Sequence, residues 1–389
     1  AQFIWQSRRD GWNHLYLYNI NGLLIKQLTK GNWEVTAYYG FDEKNKMIYY
    51  QSVENGSINR DIYAINIDGK GKTRLSQKTG TNSATFSPNF QYFINTYSSA
   101  TTAPYFSLND SKTGNELKKI QSNESVEEKV AKYNVSPKEF FTITTEKGHQ
   151  LNAWMIKPKD FDASKKHPLF MYQYSGPGSQ QVDNAWNGMD DYWFMMLAQK
   201  GYVVVCVDGR GTGFKGAAFK KCTQKELGKY EVEDQIDAAK VFSKYAYIDA
   251  SRIGIFGWSY GGFMASNCLF QGADVFKTAI AVAPVTSWRY YDSIYTERYM
   301  QTPQENASGY DNNSPINHVS KLKGNFLLVH GTADDNVHVQ NSMKMIEALV
   351  QANKQFDWAI YPDKNHGIYG GKTRLQLYTK MTNFILEKL

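Results

Sequence analysis

The chain has 389 residues, well beyond the ~150 that serve as a soft prior for one domain, so two or three domains are expected. Charged residues make up 21%, hydrophobic ones 42% and aromatic ones 15%, a balance that excludes extensive disorder. The net charge of +7 comes from Lys and Arg scattered among acids, which argues against a nucleic-acid partner.

The chain starts at Ala1 and reads as strand by Phe3 to Trp5, with no signal-like segment, so further chain upstream is expected. The first ~125 residues carry short alternating runs separated by turn signals, the pattern of an all-β region. They also repeat. Phe3-Ile4-Trp5-Gln6-Ser7 returns as Ile48-Tyr49-Tyr50-Gln51-Ser52, a shift of 45 for the Gln-Ser pair, and more weakly as Phe93-Ile94-Asn95-Thr96-Tyr97. Asn19 and Gly22 return as Asn66 and Gly69, a shift of 47. A strand, a hairpin with an Asn-Gly or Asp-Gly turn and a return strand every ~45 residues is the period of a propeller blade. Three units are too few to close a ring of about four to eight, so residues 1–125 are read as incomplete propeller blades, with a plain antiparallel sandwich as the competing reading.

Residues 121–138 are polar and of helical composition and read as a linker. The grammar then changes. A hairpin at 140–145 and 151–156 leads into strands at 169–174, 202–207, 253–256, 279–283, 326–329 and 358–361, with amphipathic helices between them at 232–245 and 339–352. Strand alternating with helix predicts an α/β domain over 126–389, built on an open, mostly parallel sheet. The most apolar runs, 202–207 and 279–283, fall far short of the ~18 residues a membrane span needs. Cys206, Cys222 and Cys268 are too few and too scattered for a disulfide framework or a zinc site, and neither a metal nor a cofactor is expected.

Gly257-Trp258-Ser259-Tyr260-Gly261-Gly262 follows a strand and opens a helix, the context of a nucleophile elbow. A serine hydroxyl needs a base, and the base needs an acid to orient it. In α/β-hydrolases these follow in the order Ser, Asp, His. The loop after strand 326–329 offers Asp334 and Asp335, and the loop after the final strand offers Asp363 and His366. Asp334 leads the acids and His366 the histidines. His14, His149 and His167 are read as surface residues, His318 lies in a polar stretch, His330 reads as packed or turn-bonding, and His338 opens a helix. Oxyanion donors are expected from the backbone N–H of Tyr260 and from Tyr174 at the end of strand 169–174, for which mere packing is the alternative.

Three strings, Gly-Trp-Ser-Tyr-Gly-Gly, His330 to His338 and Tyr290 to Met300, resemble the dipeptidyl peptidase IV branch of the prolyl oligopeptidase family. Asp208-Gly209-Arg210-Gly211 and Glu231-Val232-Glu233-Asp234-Gln235 agree with it. The resemblance is specific over ~130–389 and weaker over 1–125, where it rests on the period and on Lys30 to Val35. It implies an α/β-hydrolase fold behind propeller blades, with Ser259, Asp334 and His366 as triad and Tyr174 as oxyanion donor. It also implies a proline pocket of Tyr260, Val285, Trp288, Tyr291, Tyr295 and Val337, with Asn336 holding the preceding carbonyl. Taken alone, residues 288–295 read equally well as core at helical spacing.

The implied activity is a serine exopeptidase that releases Xaa-Pro or Xaa-Ala dipeptides from peptide amino termini, in an exported homodimer. Prolyl tripeptidyl or acylaminoacyl peptidases of the same family share the triad, and a catalytically silent binding scaffold is the alternative from another class. One departure stands out. The family's glutamate pair and arginine, which hold the substrate's amino terminus and carbonyl, have no counterpart in residues 1–125.

Overall fold

In the computed structural model, which describes all residues from Ala1 to Leu389, the chain divides into two compact units. The first comprises residues 1–138, 183–192 and 213–220; the second comprises 139–182, 193–212 and 221–389.

The first unit holds three open antiparallel sheets, each with its strands in chain order. They are β1 (Gln2–Ser7), β2 (His14–Asn19) and β3 (Leu24–Gln27); β4 (Val35–Asp42), β5 (Met47–Ser52), β6 (Asp61–Asn66) and β7 (Thr73–Arg74); and β8 (Thr81–Phe86), β9 (Tyr92–Ser99), β10 (Thr102–Asp110) and β11 (Glu116–Gln121). The sequence repeat maps onto this arrangement: the recurring run falls on β1, β5 and β9, and the recurring Asn19 and Asn66 end β2 and β6. The β2–β3 and β6–β7 turns each place a glycine at positive φ, Gly22 at 80° and Gly69 at 77°, where a side chain would be strained. Asn19 Oδ1 closes the first turn by accepting from the N–H groups of Asn21 and Leu23. Leu15, Leu17, Ile48, Tyr50, Tyr63 and Ile65 form one core. His14, read from sequence as a surface residue, is fully buried, with its ring nitrogens on Thr29 Oγ1 and Gly31 O.

Helix α1 (Glu124–Ala131) follows β11. Composition placed 126–138 at the head of the second domain, but these residues lie in the first unit. Glu127 accepts from the Ala103 N–H, and Lys138 pairs with Asp191 at 2.7 Å within that unit.

The second unit is built on eight strands: β12 (Glu139–Thr144), β13 (Gln150–Ile156), β14 (His167–Tyr172), β15 (Val203–Asp208), β16 (Ile248–Trp258), β17 (Thr278–Val282), β18 (Asn325–Gly331) and β19 (Asp357–Tyr361). Their order across the sheet is β12-β13-β15-β14-β16-β17-β18-β19, antiparallel as far as β15 and parallel from there on. Every residue of β15 and β17 is buried, as expected of apolar strands covered on both faces. The remaining helices are α2 (Met189–Gln199), which begins in the first unit, α3 (Ala217–Lys221), which lies in the first unit but for its last residue, and, in the second unit, α4 (Lys229–Ser243), α5 (Tyr260–Gln271), α6 (Ser293–Met300), α7 (Ala307–Asn312), α8 (Gln340–Gln351) and α9 (Thr373–Lys388).

From β14 the chain crosses to β15 on one side and returns to β16 on the other, so the strand order reverses between β14 and β16. Open α/β sheets form their crevice outside the carboxyl ends of the strands at such a point. Ser259 follows β16 and Tyr174 follows β14. The strand read as 169–174 ends at Tyr172, which puts Tyr174 in the loop beyond it.

Candidate active site

β16 ends at Trp258 and α5 begins at Tyr260, so Ser259 alone must turn the chain. It does so at φ 61°, ψ −119°, a conformation that costs a residue with a side chain about 1–3 kcal/mol and is found where function needs it. The neighbouring glycines are required sterically. A Cβ at Gly257 would sit 2.2 Å from Gly261 O, one at Gly261 2.6 Å from Gln173 O, and one at Gly262 2.8 Å from Val282 O. All three neighbours are backbone and cannot swing away. Gly261→Ala is therefore expected to destabilise the fold by about 1–3 kcal/mol, read as a lowered Tm; an unchanged Tm would contradict this packing.

The loops after β18 and β19 are laced together. Thr332 N–H donates to Tyr361 O at 3.0 Å, Ala333 N–H to Lys364 O at 3.0 Å, and Asp363 N–H to Thr332 Oγ1 at 2.8 Å. The indole N–H of Trp258 donates to His366 O at 2.9 Å, tying the second loop to the residue before Ser259. Within this frame Asp334 Oδ2 lies 2.7 Å from His366 Nδ1 and 3.2 Å from His330 Nε2, while Oδ1 accepts from the N–H groups of Asn336 (3.0 Å) and Val337 (2.9 Å). Burial works against the charge on Asp334, but the two imidazoles and the backbone donors outweigh it and hold the carboxyl well below its usual range. An ionised carboxylate only accepts, so His366 carries its proton on Nδ1 and leaves Nε2 as the acceptor. By the same logic His330 donates from Nε2, which also faces Val337 O at 2.8 Å, and its Nδ1 accepts from the Ser342 hydroxyl at 2.7 Å.

Beyond β14, Ser175 adopts φ 65° and Gly176 leaves room for the Tyr174 ring, which a Cβ there would meet at 2.5 Å. Burial raises the Tyr174 phenol above its usual pKa, and the Ser259 hydroxyl beside it pulls it part of the way back. Aromatic rings continue from there: Tyr174 to Tyr260 at 6.0 Å, Tyr260 to Trp288 at 5.6 Å, Trp288 to Tyr295 stacked at 6.3 Å, and Tyr291 edge-on to Tyr295 at 5.2 Å. Residues 288–295 are not one helix. Trp288–Tyr290 is a 3-10 turn and α6 starts at Ser293, capped by Asp292. Val285 and Val337 are buried. The Tyr291 hydroxyl donates to Asn336 Oδ1 at 2.6 Å, which orients that exposed amide so that its N–H₂ group is the end left for a ligand. No group of three or more His, Cys, Asp or Glu side chains is arranged to hold a metal ion.

The structure thus gathers Ser259, Asp334, His366, Tyr174, Tyr260, Trp288, Tyr291, Tyr295 and Asn336 at one end of the sheet. Of the rival acids, Asp335 is exposed and Asp363 sits in the loop at φ 56°; Asp334 is the one bonded to His366. His167 and His318 bond to carbonyls, of Gly201 and Asp162 and of Asn312 respectively, and His338 is exposed.

Two residues escaped the sequence reading of the site. His330 was read as packed, but it also shares the Asp334 carboxylate. Glu231 appeared only within a matching string. It is fully buried in the first turn of α4, with Oε1 accepting from the Tyr260 hydroxyl at 2.8 Å and Oε2 from the Gly228 N–H at 3.0 Å. Burial pushes its carboxyl up to about 8 against the pull of those donors. The signal available was Gly228 three residues before Glu231, the spacing of a capping box. α4 is further held by Asp234, which takes several hydrogen bonds from Arg210.

Residues 189–389 match the family model described as "Prolyl oligopeptidase family", and residues 1–104 that described as "Dipeptidyl peptidase IV (DPP IV) N-terminal region". A Phaeosphaeria nodorum protein named "Probable dipeptidyl-aminopeptidase B" is 39% identical over 96% of this chain and 42% of its own length. The Trichophyton equinum dipeptidyl peptidase 4 is 37% identical over 98% of this chain and 50% of its own length. The crystal structure of Porphyromonas gingivalis dipeptidyl peptidase 4 covers the whole of this chain with 55% of its own, at 50% identity and a TM-score of 0.97. The chain spans about half the length of the curated relatives it matches.

Proposed function

The chain belongs to the prolyl oligopeptidase family of serine peptidases and has its α/β-hydrolase fold, and from that premise we propose that it releases Xaa-Pro, and less readily Xaa-Ala, dipeptides from the amino termini of peptides. The observation that carries the reading is the 2.7 Å contact of His366 Nδ1 with Asp334 Oδ2, beside a serine held in a strained turn. Ser259 Oγ attacks the carbonyl carbon of the proline residue, and His366 Nε2 takes its proton. Asp334 holds the imidazole in the required tautomer and stabilises its cation. The oxyanion is met by the Tyr260 N–H at the head of α5 and by the Tyr174 hydroxyl. His366 then protonates the leaving amine. Water hydrolyses the acyl-enzyme by the same route.

The pocket chemistry supports proline. A compact saturated ring whose nitrogen has no N–H cannot be gripped by strand-like hydrogen bonding, and walls of Tyr260, Trp288, Tyr291 and Tyr295 with Val285 and Val337 select it by shape. Asn336, with its oxygen occupied by the Tyr291 hydroxyl, holds the carbonyl of the preceding residue through its N–H₂ group. The three antiparallel sheets are read as propeller blades on their ~45-residue period, and an exported homodimer belongs to the same proposal.

Initial rates on Gly-Pro-anilide against Ala-Ala-Pro-anilide test the reading, which expects the first to be the better substrate; the reverse preference would point to a tripeptidyl peptidase. Tyr174→Phe is expected to lower kcat about 10²–10³-fold with KM little changed. A change confined to KM would move Tyr174 from oxyanion donor to pocket wall.

A further inference from the structure

Glu231 sits where a carboxylate is costly. It is fully buried, and its partners are a phenol and a backbone N–H, not a cation. Asp234 lies on the same helix, and the groups facing it from other elements are Tyr260, Tyr295 and Cys222. Capping α4 would occupy one oxygen and could be done at the surface. The second oxygen is spent on Tyr260, which is buried and whose ring also packs against Phe263 at 5.2 Å and Trp288 at 5.6 Å. Gly228, at φ 97°, has no room for a side chain because Phe263 would meet its Cβ at 2.4 Å. Glu231, held in turn by the Gly228 N–H, thus anchors the hydroxyl end of Tyr260, while Phe263, which packs on the Tyr260 ring, fills the space over Gly228.

We infer that Glu231 is the positioning residue of the pocket: by accepting the Tyr260 hydroxyl it fixes that ring as the rigid wall against which a proline side chain is measured. The inference rests on the pocket reading given above. The Tyr260 N–H is set by the start of α5 and not by the ring, so loss of the anchor should loosen ligand selection and spare the nucleophile.

The test uses the 389-residue chain and an aminoacyl-pyrrolidide, read as the concentration that halves the rate at which a fluorophosphonate labels Ser259. Glu231→Leu leaves the hydroxyl buried and unpaired; it should weaken the pyrrolidide about tenfold while the uninhibited labelling rate stays within about threefold. Glu231→Gln should retain wild-type affinity, with its Oε1 taking the Gly228 N–H and its Nε2 donating to the Tyr260 oxygen. Tyr260→Phe should weaken the pyrrolidide by as much as Glu231→Leu does, and the double variant should bind it no worse than either alone. Should Glu231→Leu fail to fold, Tyr260→Phe against Glu231→Gln decides in the same way. Equal pyrrolidide affinity in wild type, Glu231→Leu and Tyr260→Phe, or additive losses in the double variant, overturns the inference alone. A wild-type chain indifferent to the pyrrolidide overturns the pocket reading and the inference with it.

Discussion

Ser259→Ala is expected to reduce turnover of Gly-Pro-anilide by on the order of 10⁶, with the fold intact. The size of the loss follows from the arrangement. His366 and Asp334 have no work without an oxygen to deprotonate, so removing the serine removes the contribution of all three. A second substitution separates chemistry from folding. Ser259 holds φ 61°, where alanine is strained as serine is but glycine is not, so Ser259→Gly should be equally inactive and more stable by about 1 kcal/mol. Activity and Tm moving in opposite directions at one residue is the expected signature of a strained turn kept for its hydroxyl. Equal or lower stability of Ser259→Gly would contradict the strain argument.

Asp334→Asn should lower kcat about 10⁴-fold and also destabilise the protein. The carboxylate receives four donors, the N–H groups of Asn336 and Val337 on Oδ1 and those of His366 and His330 on Oδ2. An amide can replace only one of those oxygens. If its N–H₂ end takes the Oδ2 position it faces two imidazole donors, and if flipped it faces two backbone donors. The first orientation keeps both backbone bonds, with His330 still on Val337 O, but makes His366 accept at Nδ1 and carry its proton on Nε2, the wrong tautomer for a base; the flipped one leaves two backbone donors without an acceptor, each at about 1–3 kcal/mol.

The pH dependence carries a definite sign. The carboxyl of Asp334 is depressed in the folded state, so its contribution is present above the unfolded value near 3.9 and is lost as pH falls from there toward the folded value. The stability gap between wild type and Asp334→Asn, measured by urea denaturation, should be constant from pH 5 to 7 and narrow below about pH 4. A gap that widens on acidification would show that the carboxylate is not the stabilised form.

Much of this was legible in the sequence because it rests on local rules. β15 and β17 are short apolar runs buried on both faces, and they read as strands without help from partners. The repeat near 45 residues reports hairpins whose turns need Asn and Gly at set positions. The places of Ser259, Asp334 and His366 on loops leaving parallel strands were legible from strand order, and chain order is the basis of the roles proposed for them.

Other features depend on approach across the fold. That β14 lies between β15 and β16, which brings Tyr174 to Ser259, is a matter of pairing and not of pattern. The role of Glu231 exists only because α4 and α5 pack together with a phenol aimed at its carboxyl. The His330 ring reaches Asp334 because the loop after β18 turns back on its own strand end. His14 was misplaced because a polar residue in an alternating run reads as outward facing, while its two ring nitrogens are satisfied inside by Thr29 and Gly31.

The most direct test of the account is to label the 389-residue chain with a fluorophosphonate and map the adduct by peptide mass spectrometry, with and without an aminoacyl-pyrrolidide. The account predicts a single adduct on the peptide containing Ser259, absent in Ser259→Ala and slowed by the pyrrolidide. An adduct that persists in Ser259→Ala, or that maps to another residue, would contradict it.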